Sequence, residues 1–374
     1  MYPNLIVSLH SPIVFNIKQT GAKYIKFFVF DSEERLLATL EKQARNFEAS
    51  FDVSYILQNS MKDVQNLLPL RDERQRPVQQ TTRVFEDDRN CIKFKVGWQI
   101  DNEQKHYHNR VFFAVNSKHF NQEQEYLTSD TYNTTPSKIL SLGSFIKYEG
   151  YPLTITCQSG LGNADSLPST SYATQRGIRI VGTASSLTKA KYLAHTNGKI
   201  TSFGSGIVVV GRNENVLYEG VFNVEIDRQD GNTFTLNSIG GNITREIKQT
   251  SCEVKHPYYV KWTNLAGGWQ YFMFDFHQTL QHKKQEQEIV KGFKENSFEL
   301  KRTAIGTQYE RILTIGAENL SKEQFNNIYS LLYSDFVFHY DEPTQKWERI
   351  FIDNQSLTHS TNGRSFEVEF SVIL

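Results

Sequence analysis

Apolar and polar residues alternate with a period of two along much of this chain, the pattern of strands with one buried and one wet face. From Cys91 to Trp98, Ile92, Phe94 and Val96 fall on one face and Lys93 and Lys95 on the other. Val111–Val115 is the expected partner strand. Phe366–Leu374 alternates again, and Ile13–Ile17 and Tyr24–Phe30 read as strands on either side of a turn at Gly21-Ala22, with Leu36–Leu40 as a third. Further strands are expected at Leu153–Cys157, Gly177–Gly182, Gly206–Gly211, Val216–Val224, Phe234–Ile239, Glu253–Trp262, Arg311–Ile315, Phe336–Tyr340 and Arg349–Ile352. The helical period appears twice. Asp52 or Ser54 can cap a short turn carrying Val53, Ile56 and Leu57. Ser321-Lys322-Glu323-Gln324 fits a capping box, and Phe325, Ile328 and Leu332 then share a face, which predicts a helix over Lys322–Tyr333.

The strongest single signal is the run Tyr259–Phe276. It reads as a hairpin, with one aromatic strand over Tyr259–Trp262, a turn rich in Asn and Gly, and a second, apolar strand over Trp269–Phe276. Gly267-Gly268 can take the positive φ that a tight return needs. Trp262, Gly267, Gly268, Trp269, Tyr271, Phe272 and Phe274 are therefore the candidate structural and interface residues. The tryptophans could instead form a stacking platform for sugars or bases. Packing is the favoured reading, because adjacent apolar residues on both faces of the second strand leave no open side.

The expected fold is mainly β, with two or three sandwich- or barrel-like domains and one short C-terminal helix packed on a sheet. A β-sandwich-like domain is assigned to residues 1–120, a polar linker to 121–140, a middle β domain to 141–258 and a C-terminal β domain with the aromatic hairpin to 259–374. Residues 71–90 read as a solvated charged loop or edge strand. Ser159–Gln175 reads as a long exposed loop, and residues 281–296 as a hairpin tip or arm.

Composition narrows the partners. Lys+Arg 41 against Asp+Glu 41 leaves no net charge, so nothing draws the chain toward nucleic acid or an anionic membrane. Aromatics at 13% favour strands and interfaces. Cys91, Cys157 and Cys252 are odd in number and widely spaced, which argues for buried thiols rather than a disulfide framework. The N-terminus lacks a signal-peptide pattern and no run reaches membrane-span length, so synthesis in the cytoplasm is expected.

Candidate chemistry is sparse, and neither a catalytic residue nor a cofactor or metal site is assigned. His106 and His108 flank Tyr107 and would share a strand face, a start for a metal site, but no further ligand falls at a suitable spacing. The alternative is two surface histidines near a hairpin tip. Gly160-Leu161-Gly162 and Gly204-Ser205-Gly206 lack the flanking strand and helix of a phosphate loop and read as turns. Asp87, Asp88 and Asp227 read as solvated turn residues.

The hairpin pattern Trp262-x-Asn264-x-x-Gly267-Gly268-Trp269-x-Tyr271-Phe272-x-Phe274 resembles virion proteins of phages and prophages of Bacteroidetes. So do the opening Ser11–Asn16 followed by Phe51–Leu57, and the ending in which a capped helix leads into Ser334–Phe338 and closing strands. The resemblance implies a non-enzymatic structural component of the tail, tail-attachment or baseplate region, located in the virion and acting through contacts with copies of itself and with other virion proteins. It transfers no catalytic residue. The rival readings are a glycan- or receptor-binding β module, whose partner would be a host glycan, and a glycan depolymerase, which would need a carboxylate pair in a cleft.

Overall fold

The computed structural model describes residues 3, 6–66, 84–85, 87–108, 111–118, 138–158, 179–181, 200–203, 206–210, 221–226, 232–238, 241–251, 254, 257–291, 301–362 and 365–373. The alternation becomes a mainly β, multi-sheet protein, with six sheets among the described residues. The chain forms two compact units. Met1–Cys252, Trp262–Gln270 and Tyr333–Phe336 make up the first, and Glu253–Lys261, Tyr271–Leu332 and Val337–Leu374 the second.

In the first unit one sheet has the order Ile6–Ser8, Phe112–Val115, Cys91–Ile100, Tyr24–Asp31, Leu36–Gln43, and His106–Tyr107 also pairs with Cys91–Ile100. Ile6–Ser8 runs parallel to its neighbour and the remaining pairs are antiparallel. Val14–Lys18 and Glu48–Asp52 form a separate two-stranded sheet. Their inward residues Phe15 and Phe51 meet the larger sheet face to face. Phe15 lies 5.2 Å from Phe27 and 5.1 Å from Phe112, and Phe27 stacks on Phe51 at 5.0 Å. All four rings are fully buried, and each contributes about 1.5–3 kcal/mol by leaving water.

A second sheet orders Lys138–Ile139, Leu153–Gln158, Val221–Ile226 and Val84–Phe85, with Val84–Phe85 at its edge. A third joins Phe145–Tyr148, Gly241–Thr250, Thr233–Ser238, Arg179–Val181, Gly206–Val210 and Ile200–Phe203. Helix α1, Ser54–Asn66, has 13 residues and outruns the short turn expected there. The reason is that Met61 repeats the buried position of Leu57 one turn on, so the inward stripe continues. Asp52 Oδ1 accepts from the Ser54 N–H at 3.0 Å at the start of this helix.

A further sheet is ordered Trp269–Phe274, Tyr258–Thr263, Val337–Asp341, Lys346–Arg349. Another is ordered Phe276–Lys291, Lys301–Leu320, Ser365–Ile373, Phe351–Asn362. Phe274 meets Phe370 edge to face at 4.9 Å, linking the two. Helix α2, Lys322–Tyr329, carries the expected capping box between Ser321 and Gln324. A 3-10 turn over Ser330–Tyr333 replaces the last expected helical turn. Phe325 stacks on Phe366 at 4.9 Å and sets the helix against the sheet. The segment expected to be an arm starts as part of the strand Phe276–Lys291. The 121–137 part of the linker, Ser159–Gln175, Asp227 and Cys252 lie outside the described residues. Cys91 and Cys157 are buried thiols outside any disulfide among the described residues, and burial pushes the Cys157 thiol up.

Candidate functional site

The hairpin forms, with strands Tyr258–Thr263 and Trp269–Phe274 as sheet neighbours. Its turn is densely hydrogen-bonded. Asn264 organises it from inside. The Asn264 side-chain oxygen accepts from the N–H groups of Ala266 at 2.9 Å and Gly268 at 3.1 Å, and the Asn264 N–H donates to the Gly268 carbonyl at 2.8 Å. Asn is suited to this because its short amide bonds to backbone a few residues on. The Asn264 Nδ2 group donates outward to the Leu140 carbonyl at 2.9 Å.

The two glycines are required for different reasons. Gly267 has φ +87°, the left-handed region that L side chains avoid. Gly268 does not; it is small because backbone lies against it. A Cβ there would sit 2.5 Å from the Leu140 carbonyl carbon, 2.6 Å from the Leu140 oxygen and 2.7 Å from the Ser141 nitrogen. The sequence expectation of positive φ thus applies to Gly267, and close backbone approach explains Gly268.

Around the turn runs a closed relay of buried hydrogen bonds. The Trp269 N–H donates to Thr156 Oγ1 at 2.9 Å, and the Thr156 hydroxyl donates to Asn223 Oδ1 at 2.7 Å. Asn223 Nδ2 donates to Asn90 Oδ1 at 3.0 Å, and Asn90 Nδ2 donates to the Gly267 carbonyl at 2.8 Å. The relay leaves the turn at Trp269 and returns to it at Gly267. Thr156, Asn223 and Asn90 are each 0% exposed, so every one of these groups needs its partner. Ser141 adds a second tie: its hydroxyl donates to the Trp269 carbonyl at 2.7 Å and accepts from the Thr156 N–H at 2.9 Å. Gln270 brackets Leu142, with its Nε2 on the Leu142 carbonyl at 2.9 Å and its Oε1 accepting from the Leu142 N–H at 3.0 Å.

A buried ion pair closes the other side. Arg89 Nε and Nη2 donate to the two oxygens of Asp87 at 2.7 and 2.8 Å. The Trp269 indole N–H reaches Asp87 Oδ2 at 3.2 Å, and the Arg89 guanidinium lies 5.4 Å from the Trp269 ring centroid. Such a bidentate, doubly satisfied pair tolerates burial where a lone charge would not. Asp87 is therefore no solvated turn residue, contrary to the sequence reading. Asp88 beside it is exposed. What this arrangement does chemically is hold the turn: the bonds described above run to backbone groups or to other members of the cluster.

Trp262 is 0% exposed and Trp269 2%. A stacking platform needs an open ring face, and neither tryptophan has one. In the second unit, Tyr271 and Phe272 are half-buried and Phe274 is buried. Tyr271 stacks on Tyr259 at 5.9 Å. Lys261 lies over Trp347 at 4.3 Å and over Phe338 at 5.3 Å, a cation–π contact that sequence reading passed over. Tyr258 stacks on His339 at 4.0 Å. Burial lowers the His339 pKa to about 4, against the opposing pull of Asp341.

The two histidines of the metal reading part company. His106 is exposed and stacks on Trp98 at 5.9 Å, whereas His108 is buried against Phe112 at 4.9 Å. Among the described residues no group of three or more His, Cys, Asp or Glu is placed to hold a metal ion. Asn90, Ser141, Thr156 and Asn223 were not singled out by sequence. The only local signals were the Asp-x-Arg spacing of Asp87 and Arg89 and the Asn at the head of the turn.

No protein-family model matches the chain, and no characterised protein matches it by sequence. Among solved structures, extracellular domains 3–5 of Drosophila OTK align at 9% identity and a TM-score of 0.20, covering 93% of this chain and 94% of that one. Escherichia coli alpha-2-macroglobulin, in its trypsin-activated form, aligns at 9% identity and 0.18, covering 84% of this chain and 22% of that one. The same protein activated by porcine elastase aligns at 8% and 0.18, covering 85% and 29%. Likeness at this level carries no inference about fold or function.

Proposed function

We propose that this protein is a non-enzymatic structural component of a phage particle, in the tail, tail-attachment or baseplate region. The observation that carries the reading is the hairpin turn. The segment on which the virion resemblance rests is built as an anchor, with Trp269 buried and the relay from Thr156 to Asn90 returning to Gly267. A protein that works by geometry needs turns that do not yield, and a closed buried network supplies that. Multiple β sheets suit the same task, because ladder bonds must break together before the chain extends. Partners are copies of itself and neighbouring virion proteins. Immunogold labelling of purified particles tests the proposal: label at the tail or its attachment end supports it, and particles that stay unlabelled while the protein is plentiful in the lysate overturn it.

A further inference from the structure

The strand Phe276–Lys291 lies at the end of its sheet, and among the described residues no strand pairs with its outer edge. Its inner edge pairs with Lys301–Leu320. The third strand, Ser365–Ile373, reaches Lys301–Leu320 only from Ile312 to Leu320. Past that point, among the described residues, His282–Lys291 and Lys301–Arg311 run on as a ribbon of two strands alone. At roughly 3.4 Å per residue the ten residues His282–Lys291 extend about 34 Å. Two strands are marginal in water without a third, and an open edge presents a row of unpaired N–H and C=O groups to any matching strand.

The sequence of the edge, Thr279-Leu280-Gln281-His282-Lys283-Lys284-Gln285-Glu286-Gln287-Glu288-Ile289-Val290-Lys291, is complementary to itself when reversed about Gln285. Reversal sets Lys284 opposite Glu286, His282 opposite Glu288 and Leu280 opposite Val290. Each pairing occurs twice across a two-fold axis. Leu280 is 49% exposed in the single chain and gains an apolar neighbour in this arrangement. The register is specific: an axis moved to Lys284 sets that lysine against its own copy, and an axis moved to Glu286 does the same for the glutamate. Opposite charges across paired strands stabilise and like charges repel.

We propose that the outer edge of Phe276–Lys291 pairs antiparallel with the same edge of a second copy, about a two-fold axis at Gln285. The two ribbons become one four-stranded sheet, and the contact is isologous. The inference names a partner surface for the assembly reading, on which its biological setting rests; the pairing itself follows from the ribbon.

The test uses the purified full chain and light scattering over a concentration series. Lys284→Glu and Glu286→Lys each place like charges opposite one another at two points, and self-association should weaken by about tenfold. An equimolar mixture of the two variants should associate again, because each glutamate of one then faces a lysine of the other. Gln285→Cys opposes itself across the axis and should form a covalent dimer under mild oxidation. Gln281→Cys opposes Ile289 and should not, with the unmodified chain as control for the native thiols. A chain that stays monomeric, or whose association ignores both charge reversals and their mixing, overturns the inference. Neither result depends on whether particles contain the protein, so the pairing and the virion reading fail separately.

Discussion

Replacing Gly268 with alanine isolates the close approach at the hairpin turn. The added Cβ would lie 2.5 to 2.7 Å from the backbone of Leu140 and Ser141, where ordinary carbon contacts need roughly 3.5–4.0 Å. The two segments must part by about 1 Å. Leu140 and Ser141 cannot follow freely, because Asn264 Nδ2 holds the Leu140 carbonyl, the Ser141 hydroxyl holds Trp269 and the Leu140 N–H donates to Thr156. Overpacking costs about 1–3 kcal/mol, and two buried hydrogen bonds stretched or lost add about 1 kcal/mol each. Gly268→Ala should therefore cost about 3–5 kcal/mol. Gly21→Ala is the reference: Gly21 shares the positive φ of Gly267, at +87°, but a Cβ there meets nothing within 4 Å, so only the backbone strain of about 1–2 kcal/mol applies. Gly267→Ala should cost more than Gly21→Ala, combining that strain with a Cβ 2.8 Å from the buried Val115 side chain and 3.1 Å from the Asn116 backbone. Urea unfolding followed by tryptophan fluorescence in a Trp347→Phe background reads the first unit, which holds the other three tryptophans, Trp98, Trp262 and Trp269. If Gly268→Ala were no more destabilising than Gly21→Ala, the account of the turn would be wrong.

Two further predictions concern the same packing and a third the Tyr258–His339 stack. Trp262→Ala and Trp269→Ala should each cost roughly 3–5 kcal/mol in the same unfolding assay, while Trp269→Phe, which keeps a ring but removes the donor to Asp87, should cost about 1–2 kcal/mol; a melting temperature unmoved by Trp269→Ala would favour an exposed platform. Asn223→Ala breaks the relay and leaves the buried Thr156 hydroxyl and the Asn90 side-chain oxygen without Asn223, for about 2–4 kcal/mol; faster hydrogen exchange at the Trp269 amide, with distant amides unchanged, checks whether the loss is local. His339 titrates near pH 4 when folded and near its ordinary 6.5 when unfolded. The unfolded chain therefore takes up the proton first as pH falls, so stability is lost between about pH 6.5 and 4 and regained on raising the pH; His339→Gln should flatten this slope in pH-dependent melts of the second unit.

The parts of the fold written in neighbouring residues were legible. Ser321 and Gln324 announce their capping box within four positions, and the alternation of Ile92, Phe94 and Val96 defines its strand without help from elsewhere. The hairpin was readable because Asn264 and Gly267 sit between two aromatic strands. The relay was not, because Asn90, Thr156, Asn223 and Trp269 are brought together from segments far apart in the chain, and a lone buried Asn looks like any loop Asn in sequence. Asp87 shows the same limit. Beside Asp88 it reads as solvated, and only the Trp269 indole, 182 residues away, together with Arg89, makes it a buried group. Gly268 was legible as a glycine needed in a turn, yet its reason, the Leu140 backbone, lies outside the local pattern.

Quantitative mass spectrometry of intact, density-purified particles tests the central claim most directly. A structural tail or baseplate component should be recovered in a fixed ratio to the major particle proteins, in several copies per particle, and should persist through washing with salt. Recovery only in the soluble lysate, or in particles at a level that falls with each wash, would contradict it.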